Sequence, residues 1–186
     1  DAGTRWAYHN APYTVLDKVV EAATGTTFNN YFQQKIRNTT GMNGLWLPSG
    51  YNNVYYSNAR SMARFGLLLL NKGKWNQTTI LSDSNYYNAQ ISTSQNLNLS
   101  YGYLTWLNGK ASYMLPTLQF VFSGMLTPNA PAEMFAALGK NDQKIYVVPS
   151  QKLVVIRMGE SAGNVQPATS SFDNELWGKL KPVIGY

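Results

Sequence analysis

Hydrophobic residues follow a helical period in the first part of the chain. After Pro12, apolar residues recur with the i, i+3, i+4, i+7 spacing of one helix face, and Gly25 ends the pattern. The repeating residues are Leu16, Val19, Val20 and Ala23. Proline is tolerated in the first turn of a helix, because its missing N–H would have no intrahelical partner there. The pattern therefore predicts a helix that begins near Pro12 and ends before Gly25.

The same region predicts three more helices. The first covers residues 28–36, and another follows Ser57, whose hydroxyl can cap it, and ends at Gly73. A shorter helix follows Ser82. Residues 38–56 are rich in Gly, Asn and Ser, and we expect them to form a loop.

The pattern changes after residue 100, where short apolar and aromatic runs indicate strands. We expect strands at residues 101–108, 133–138, 144–148 and 153–158, an irregular insert at 115–131, and a final helix at about 172–181. The last three strands have short connections, which require antiparallel pairing. Helices followed by an antiparallel sheet and one more helix define an α+β fold. We divide it into a mainly helical region, 1–100, and a region of sheet strands plus the C-terminal helix, 101–186.

Composition and charge exclude several functional classes. The chain has 186 residues, of which 44% are hydrophobic and 13% charged, a balance typical of a globular protein. The net charge of +6 is scattered rather than concentrated in a basic patch, so we expect no nucleic-acid partner. The longest apolar run, residues 65–70, is far shorter than the ~20 residues that span a bilayer. With no cysteine and a single histidine, His9, we expect no metal site.

Five short segments are informative because of their order along the chain. They are Tyr8-His9-Asn10, Thr40-Gly41-Met42, Ala63-Arg64-Phe65-Gly66, Tyr101-Gly102-Tyr103 with Trp106, and Gly139–Gln143 followed by Ile145-Tyr146-Val147-Val148-Pro149. In this order they resemble motifs of the penicillin-recognising serine hydrolases, the family of class C β-lactamases, esterases and DD-peptidases. The first segment is similar to the Tyr-x-Asn motif of that family. The resemblance covers nearly the whole chain.

The resemblance implies a β-lactamase/transpeptidase-like fold and a specific role for Tyr8. In the family, a Ser-x-x-Lys helix supplies the nucleophile, and the tyrosine of Tyr-x-Asn relays its proton. A tyrosine with an ordinary pKa near ~10 is a poor base at neutral pH, but a nearby lysine charge favours the phenolate. Tyr8 would be base toward the serine and later acid toward the leaving group. Asn10 would hydrogen-bond the lysine or a substrate amide.

Two other interpretations of these residues need weighing. Tyr56-Ser57-Asn58 is also Tyr-x-Asn, but it immediately precedes a predicted helix, and helix capping by Ser57 explains it. Tyr8 itself is one of thirteen tyrosines, and burial alone could account for it. His9, in the middle of the motif, is expected to be structural.

The turn at Gly139–Gln143 departs from the family pattern, which commonly has Lys-Thr-Gly or a His/Gly-rich equivalent. Here Asn141 and Asp142 occupy the turn, and both residue types tolerate positive φ better than most. The resemblance implies that a backbone N–H of this turn completes an oxyanion hole, contributed by Lys140 or a neighbour. The side chains of Lys140 and Asn141 either bind substrate there or belong to a plain hairpin turn.

The chain contains no Ser-x-x-Lys sequence. In the family, that motif lies upstream of Tyr-x-Asn, together with two strands that pair beside the strand matching residues 153–158. We therefore expect this chain to be the inactive C-terminal portion of a serine hydrolase that cleaves a small ester or amide substrate, β-lactams included. Its partner would be an N-terminal segment of the same protein carrying Ser-x-x-Lys. The resemblance implies no cofactor and a periplasmic or secreted bacterial location. The alternative is a binding or regulatory module that kept the fold without the chemistry.

Overall fold

A computed structural model describes residues 1, 3–162 and 171–186. Within that part of the chain, helices and antiparallel strands are mixed, as the predicted α+β class requires. The chain forms two compact units. One is His9–Ser82, and the other combines Asp1–Tyr8 with Asp83–Tyr186.

Helices account for most of the unit His9–Ser82. They are α1 Ala11–Thr14, α2 Leu16–Thr24, α3 Phe28–Phe32, α4 Asn38–Thr40 and α5 Ala59–Leu70, with a π-helical turn, Gln33–Arg37, between α3 and α4. Pro12 lies in the first turn of α1, and Gly25 caps α2 in the left-handed conformation with φ 67°, as predicted. The predicted helix 28–36 continues to Thr40 through the π-helical turn. Leu16 and Val19 of α2 are 43% and 57% exposed, so the predicted inward face of this helix is only partly buried.

The expectation that residues 38–56 form a loop is wrong. Strands β1 Gly44–Ser49 and β2 Asn52–Ser57 form an antiparallel hairpin in which Trp46 lies opposite Tyr55. Both of these rings pack on Phe32, with centroids 5.4 and 5.0 Å away. The glycines that suggested a loop serve the hairpin instead, since Gly50 adopts φ 61° in its turn. The opposite face is apolar but exposed, and its cross-strand pairs are Leu45 with Tyr56 and Leu47 with Val54.

Helix α5 begins one residue later than predicted. Its N-cap is Asn58, whose Oδ1 accepts a hydrogen bond from the N–H of Ser61 at 2.9 Å. Ser57, the predicted cap, is the last residue of β2, and its hydroxyl donates to the carbonyl of Asn43. Because β2 extends through Ser57, the capping position moves to the first residue beyond the strand.

A short hairpin and a short helix follow α5. The hairpin consists of β3 Lys74–Trp75 and β4 Thr78–Thr79. Helix α6, Ser84–Gln90, confirms the predicted helix after Ser82. Asp83 caps it by accepting a hydrogen bond from the N–H of Tyr86 at 2.9 Å.

The second unit is built on an antiparallel sheet of four strands in the order β10–β9–β8–β5. The strands are β5 Trp106–Leu107, β8 Phe135–Leu138, β9 Lys144–Val148 and β10 Leu153–Arg157. The last three confirm the predicted strands closely, whereas the run 101–108 supplies only the two residues of β5. The predicted irregular insert contains β7 Val121–Ser123, which pairs with β6 Ser112–Met114. Among the described residues, β10 is an outer strand of the sheet and is only half-buried.

Helix α7, Ser171–Ile184, contributes to the core of this unit. Trp177 is fully buried, and its ring meets that of Tyr146 edge-on with centroids 5.5 Å apart. The same core contains Trp106, Leu138 and Val148. Alternate residues of the strands therefore face the core that α7 shares.

Candidate functional site

Tyr8 is held by aromatic rings of the sheet-containing unit. Its ring stacks on Trp106 of β5, with centroids 5.9 Å apart and planes at 25°. Tyr101 meets it edge-on at 6.0 Å, and Trp6 lies at 6.1 Å. The carbonyl of Trp6 accepts a hydrogen bond from Nε2 of Gln119 at 2.8 Å, which ties this segment to the loop before β7. The contacts of the Tyr8 ring with Trp106, Tyr101 and Trp6 therefore fix the orientation of this side chain.

Asn10 belongs to the other unit, His9–Ser82, where it precedes α1. Its Oδ1 accepts a hydrogen bond from the hydroxyl of Tyr13 at 2.6 Å, and its carbonyl accepts from the N–H groups of Tyr13 and Thr14. Asn10 and His9 are both exposed. The side chain of Asn10 is therefore oriented by Tyr13, one helical turn further along.

The second Tyr-x-Asn sequence, Tyr56-Ser57-Asn58, has a structural role. Tyr56 is 54% exposed on the outer face of the β1–β2 hairpin, and Asn58 caps α5. The capping role that was assigned to Ser57 thus falls to Asn58 of the same sequence.

Lys140 and Asn141 lie together on a tight turn between β8 and β9. Lys140–Asp142 forms one 3₁₀ turn, in which the N–H of Gln143 donates to the carbonyl of Lys140 at 3.4 Å, and the N–H of Gly139 donates to the carbonyl of Gln143 at 2.8 Å. Asn141 and Asp142 both have φ 57°, which confirms the expectation that these residue types accommodate positive φ here. The side chains of Lys140 and Asn141 are exposed.

A buried charged group lies directly behind this turn, and sequence reasoning missed it. Nζ of Lys144 is 3.3 Å from Oδ1 of Asp142 and 3.2 Å from Oδ2 of Asp173, at the start of α7. The hydroxyl of Tyr146 donates to Oδ1 of Asp173. The available signal was a lysine at the start of the apolar strand β9, because a buried lysine almost always has a charged partner.

Tyr146 remains a hydrogen-bond donor in this group. Burial raises the pKa of its hydroxyl far above the ordinary value, and the negative charge of Asp173 raises it further. The neutral phenol is therefore the form that orients the Asp173 carboxylate.

The described part of the chain has neither a metal-binding cluster nor a membrane-spanning helix. There, His, Cys, Asp and Glu side chains form no group of three or more that could hold a metal ion. Within the same residues, no helix is long and apolar enough to cross a membrane.

Comparison with known proteins identifies the family. The beta-lactamase family model matches residues 1–176. The chain therefore belongs to the beta-lactamase family, and its fold is the beta-lactamase-like α+β fold. No curated protein matches it significantly.

Solved structures share this fold at low sequence identity. One is described as a "putative 6-aminohexanoate-dimer hydrolase" from Bacillus anthracis, with 22% identity and a TM-score of 0.66 over 97% of this chain. Another is a beta-lactamase from Mycobacterium bovis, with 17% identity and a TM-score of 0.66 over 98% of this chain. The chain spans 43% and 64% of the lengths of these two proteins.

Proposed function

We propose that this chain is the C-terminal portion of a serine hydrolase that cleaves a small ester or amide, β-lactams included, through an acyl-serine intermediate. The observation that carries the proposal is Tyr8 of the Tyr-x-Asn motif, whose ring is fixed by Trp106, Tyr101 and Trp6 in a chain of the beta-lactamase family. The 186 residues contain no Ser-x-x-Lys, so the nucleophile comes from an N-terminal segment of the same protein.

Tyr8 would transfer one proton twice in this reaction. As a phenolate, favoured by the lysine of Ser-x-x-Lys, it takes the proton of the serine hydroxyl while the serine oxygen bonds to the substrate carbonyl carbon. The neutral Tyr8 then returns that proton to the departing alcohol or amine as the carbon–heteroatom bond breaks. Water subsequently attacks the acyl-serine by the same route, which releases the acid and restores the serine.

Asn10, Lys140 and Asn141 would bind the substrate. The Oδ1 of Asn10 holds Tyr13, so Nδ2 is the group that we assign to a substrate carbonyl. Lys140 and Asn141 project from one exposed turn, where an ammonium and an amide can pair with a carboxylate and an amide of the substrate. A backbone N–H of the same turn would donate to the oxyanion.

Two exposed apolar features support a separate nucleophile-bearing segment. In the part of the chain that the structure describes, strand β10 is an outer strand with Val154, Val155 and Ile156 at its centre. Helix α2 exposes Leu16 and Val19. An unpaired strand edge and an apolar helix stripe are both suited to pairing with further protein chain.

The test compares this chain with the complete product of its gene. We expect the purified 186-residue chain to hydrolyse p-nitrophenyl acetate and a chromogenic cephalosporin no faster than buffer, and the complete product to hydrolyse at least one of them. Turnover by the isolated chain that is lost on replacing one of its serines would contradict the proposal. A complete product without Ser-x-x-Lys and without turnover would establish the non-catalytic binding module instead. Fractionation of the producing cells checks the proposed periplasmic or secreted location.

A further inference from the structure

The group behind the Lys140–Asp142 turn is unusual because three charged side chains are buried together. Asp142, Lys144 and Asp173 are 4%, 1% and 4% exposed. Removing charges from water is costly, and a buried ion pair contributes little net stability compared with apolar residues of similar size. The group therefore needs an explanation other than stability.

All four carboxylate oxygens of the group have a partner. Lys144 pairs with one oxygen of each aspartate, at 3.3 and 3.2 Å. The second oxygen of Asp142 accepts from the N–H of Ala162 at 2.7 Å, and the second oxygen of Asp173 accepts from Tyr146. Such a fully satisfied network is rigid, and it joins the turn, strand β9, the chain after β10 and helix α7.

Two sets of contacts, from this network and from Arg157, hold the turn. Asn141 and Asp142 both hold a left-handed backbone conformation, which their residue types tolerate better than most but which still costs free energy that contacts with the surroundings offset. The side chain of Asp142 points inward, whereas those of Lys140 and Asn141 are exposed. Arg157 adds a second constraint, since its Nη1 donates to the carbonyls of Asn141 and Asp142 at 3.1 and 3.3 Å. Anchoring Asp142 thus sets the direction in which its two neighbours project.

We propose that Asp142, Lys144, Tyr146 and Asp173 form a positioning clamp that makes the geometry of the Lys140–Asn141 turn depend on helix α7. The four are positioning residues: they act on the substrate through Lys140 and Asn141. What those two residues bind rests on the proposed function, but the mechanical coupling of α7 to the turn does not.

The first test follows the turn without any assay of activity. Asp173→Asn keeps the size of the side chain and removes one of the two negative charges that hold Lys144. We expect backbone ¹H–¹⁵N resonances of Lys140 and Asn141 to shift and broaden in the folded variant. Glu175→Gln is the matched control, because it neutralises an exposed carboxylate on the same helix and should leave the turn resonances in place. A folded Asp173→Asn protein with unchanged turn resonances would overturn the clamp.

A milder variant covers the case in which Asp173→Asn does not fold. Tyr146→Phe keeps every charge and removes only the hydroxyl that orients Asp173. We expect the same turn resonances to shift by a smaller amount. If Tyr146→Phe folds and the resonances of Lys140 and Asn141 do not move, the clamp is wrong.

The second test measures the positioning role in the complete gene product. For an ester substrate bearing a carboxylate, Asp173→Asn is expected to lower kcat/KM by up to about 10²-fold, the scale associated with displacing a binding group by about 1 Å. Added to Lys140→Met, the same substitution should have a smaller further effect, because the part of its influence that passes through Lys140 is already lost. If the loss of kcat/KM in the double variant equals the product of the losses in the two single variants, the positioning role is wrong. Absence of hydrolysis by the unsubstituted product would contradict the proposed function and leave the resonance test to decide the clamp.

Discussion

The ring and the hydroxyl of Tyr8 have separate roles. Trp106, Tyr101 and Trp6 contact the ring, and these contacts survive in a phenylalanine. The proposed chemistry depends on the oxygen alone. A substitution that removes only this oxygen can therefore distinguish chemistry from packing.

Tyr8→Phe in the complete gene product should lower the rate of acylation by about 10²–10⁴-fold, the usual contribution of general acid–base catalysis. Its unfolding midpoint should stay close to that of the unsubstituted protein. Stopped-flow measurement of the acylation burst, together with thermal unfolding, checks both expectations. Tyr56→Phe is the control and should keep full activity, since Tyr56 is exposed on the hairpin. Loss of activity in Tyr56→Phe but not in Tyr8→Phe would show that Tyr56, and not Tyr8, is the catalytic tyrosine.

Asn58 provides a separate prediction about stability. Asn58→Ala removes the acceptor for the N–H of Ser61 and should destabilise the protein by about 0.5–2 kcal/mol, the usual cost of losing an N-cap. Asn58→Asp keeps an acceptor oxygen and should be close to neutral. Urea unfolding of the two variants measures the difference, and equal stabilities would show that this cap contributes nothing.

Sequence reasoning at this scale succeeded where the information was local. The positive φ of Asn141 and Asp142 followed from the residue types alone. The pairing of Lys144 with Asp173 could not be predicted from the residue types, because the two residues are far apart in the chain and only the packing of α7 brings them together. Asn10 is intermediate: the family resemblance implied a hydrogen-bonding role, but its partner Tyr13 became evident only in the structure.

At the scale of elements, strand β10 carries the clearest expectation. Alternate N–H groups of an outer antiparallel strand point away from its neighbour and exchange with water unless another chain covers them. In the isolated 186-residue chain, we expect hydrogen exchange along Leu153–Arg157 to be fast at alternate residues and slow throughout β9. Slow exchange at every residue of β10 in a demonstrably monomeric chain would mean that its edge is already satisfied, and a paired N-terminal segment would not be needed there.

The elements that sequence predicted well have one strong local pattern, which is a helical period in the helices and a continuous apolar run in the strands. Helices α2 and α5 and strands β8 to β10 belong to this group. The β1–β2 hairpin was missed because its glycines, asparagines and serines indicate a loop when they are counted, and indicate a turn only when their spacing is considered. Strand β5 was predicted too long, because its aromatic run includes Tyr103 and Leu104, which are 48% and 52% exposed outside the strand.

At the scale of the whole molecule, the two compact units divide the chain at Tyr8/His9 and at Ser82/Asp83. The helical region that we proposed from the sequence ended near residue 100. In the structure, helix α6 belongs to the compact unit that contains the sheet. Tyr8 and Asn10, two residues apart in one motif, consequently belong to different units.

A nucleophile-bearing segment that binds only the folded chain should stabilise it by mass action. At a segment concentration of 100 times Kd, the gain would be about 2.7 kcal/mol. We expect the Tm of the isolated chain to rise with the concentration of a separately produced N-terminal part of the same gene product. The same part with its strand that faces β10 disrupted by proline is the control. A Tm that is independent of the added segment, at concentrations where hydrolysis appears, would rule out coupling between assembly and stability.

The β1–β2 hairpin has a consequence for how faithfully the chain finds its fold. Both of its faces carry apolar pairs, so sliding β2 by one residue would bring Val54 and Tyr56 to the Trp46 face in place of Tyr55 and would still leave apolar side chains on both faces. Burial therefore discriminates poorly between the two alignments. The choice is made by backbone geometry: Gly50 accepts φ 61° in the two-residue turn, and Gly44 leaves room for the Tyr55 ring, whose Cζ would lie 2.7 Å from any Cβ at that position. In this hairpin, Gly44 and Gly50 select the strand register, and the aromatic side chains stabilise the register that these glycines select.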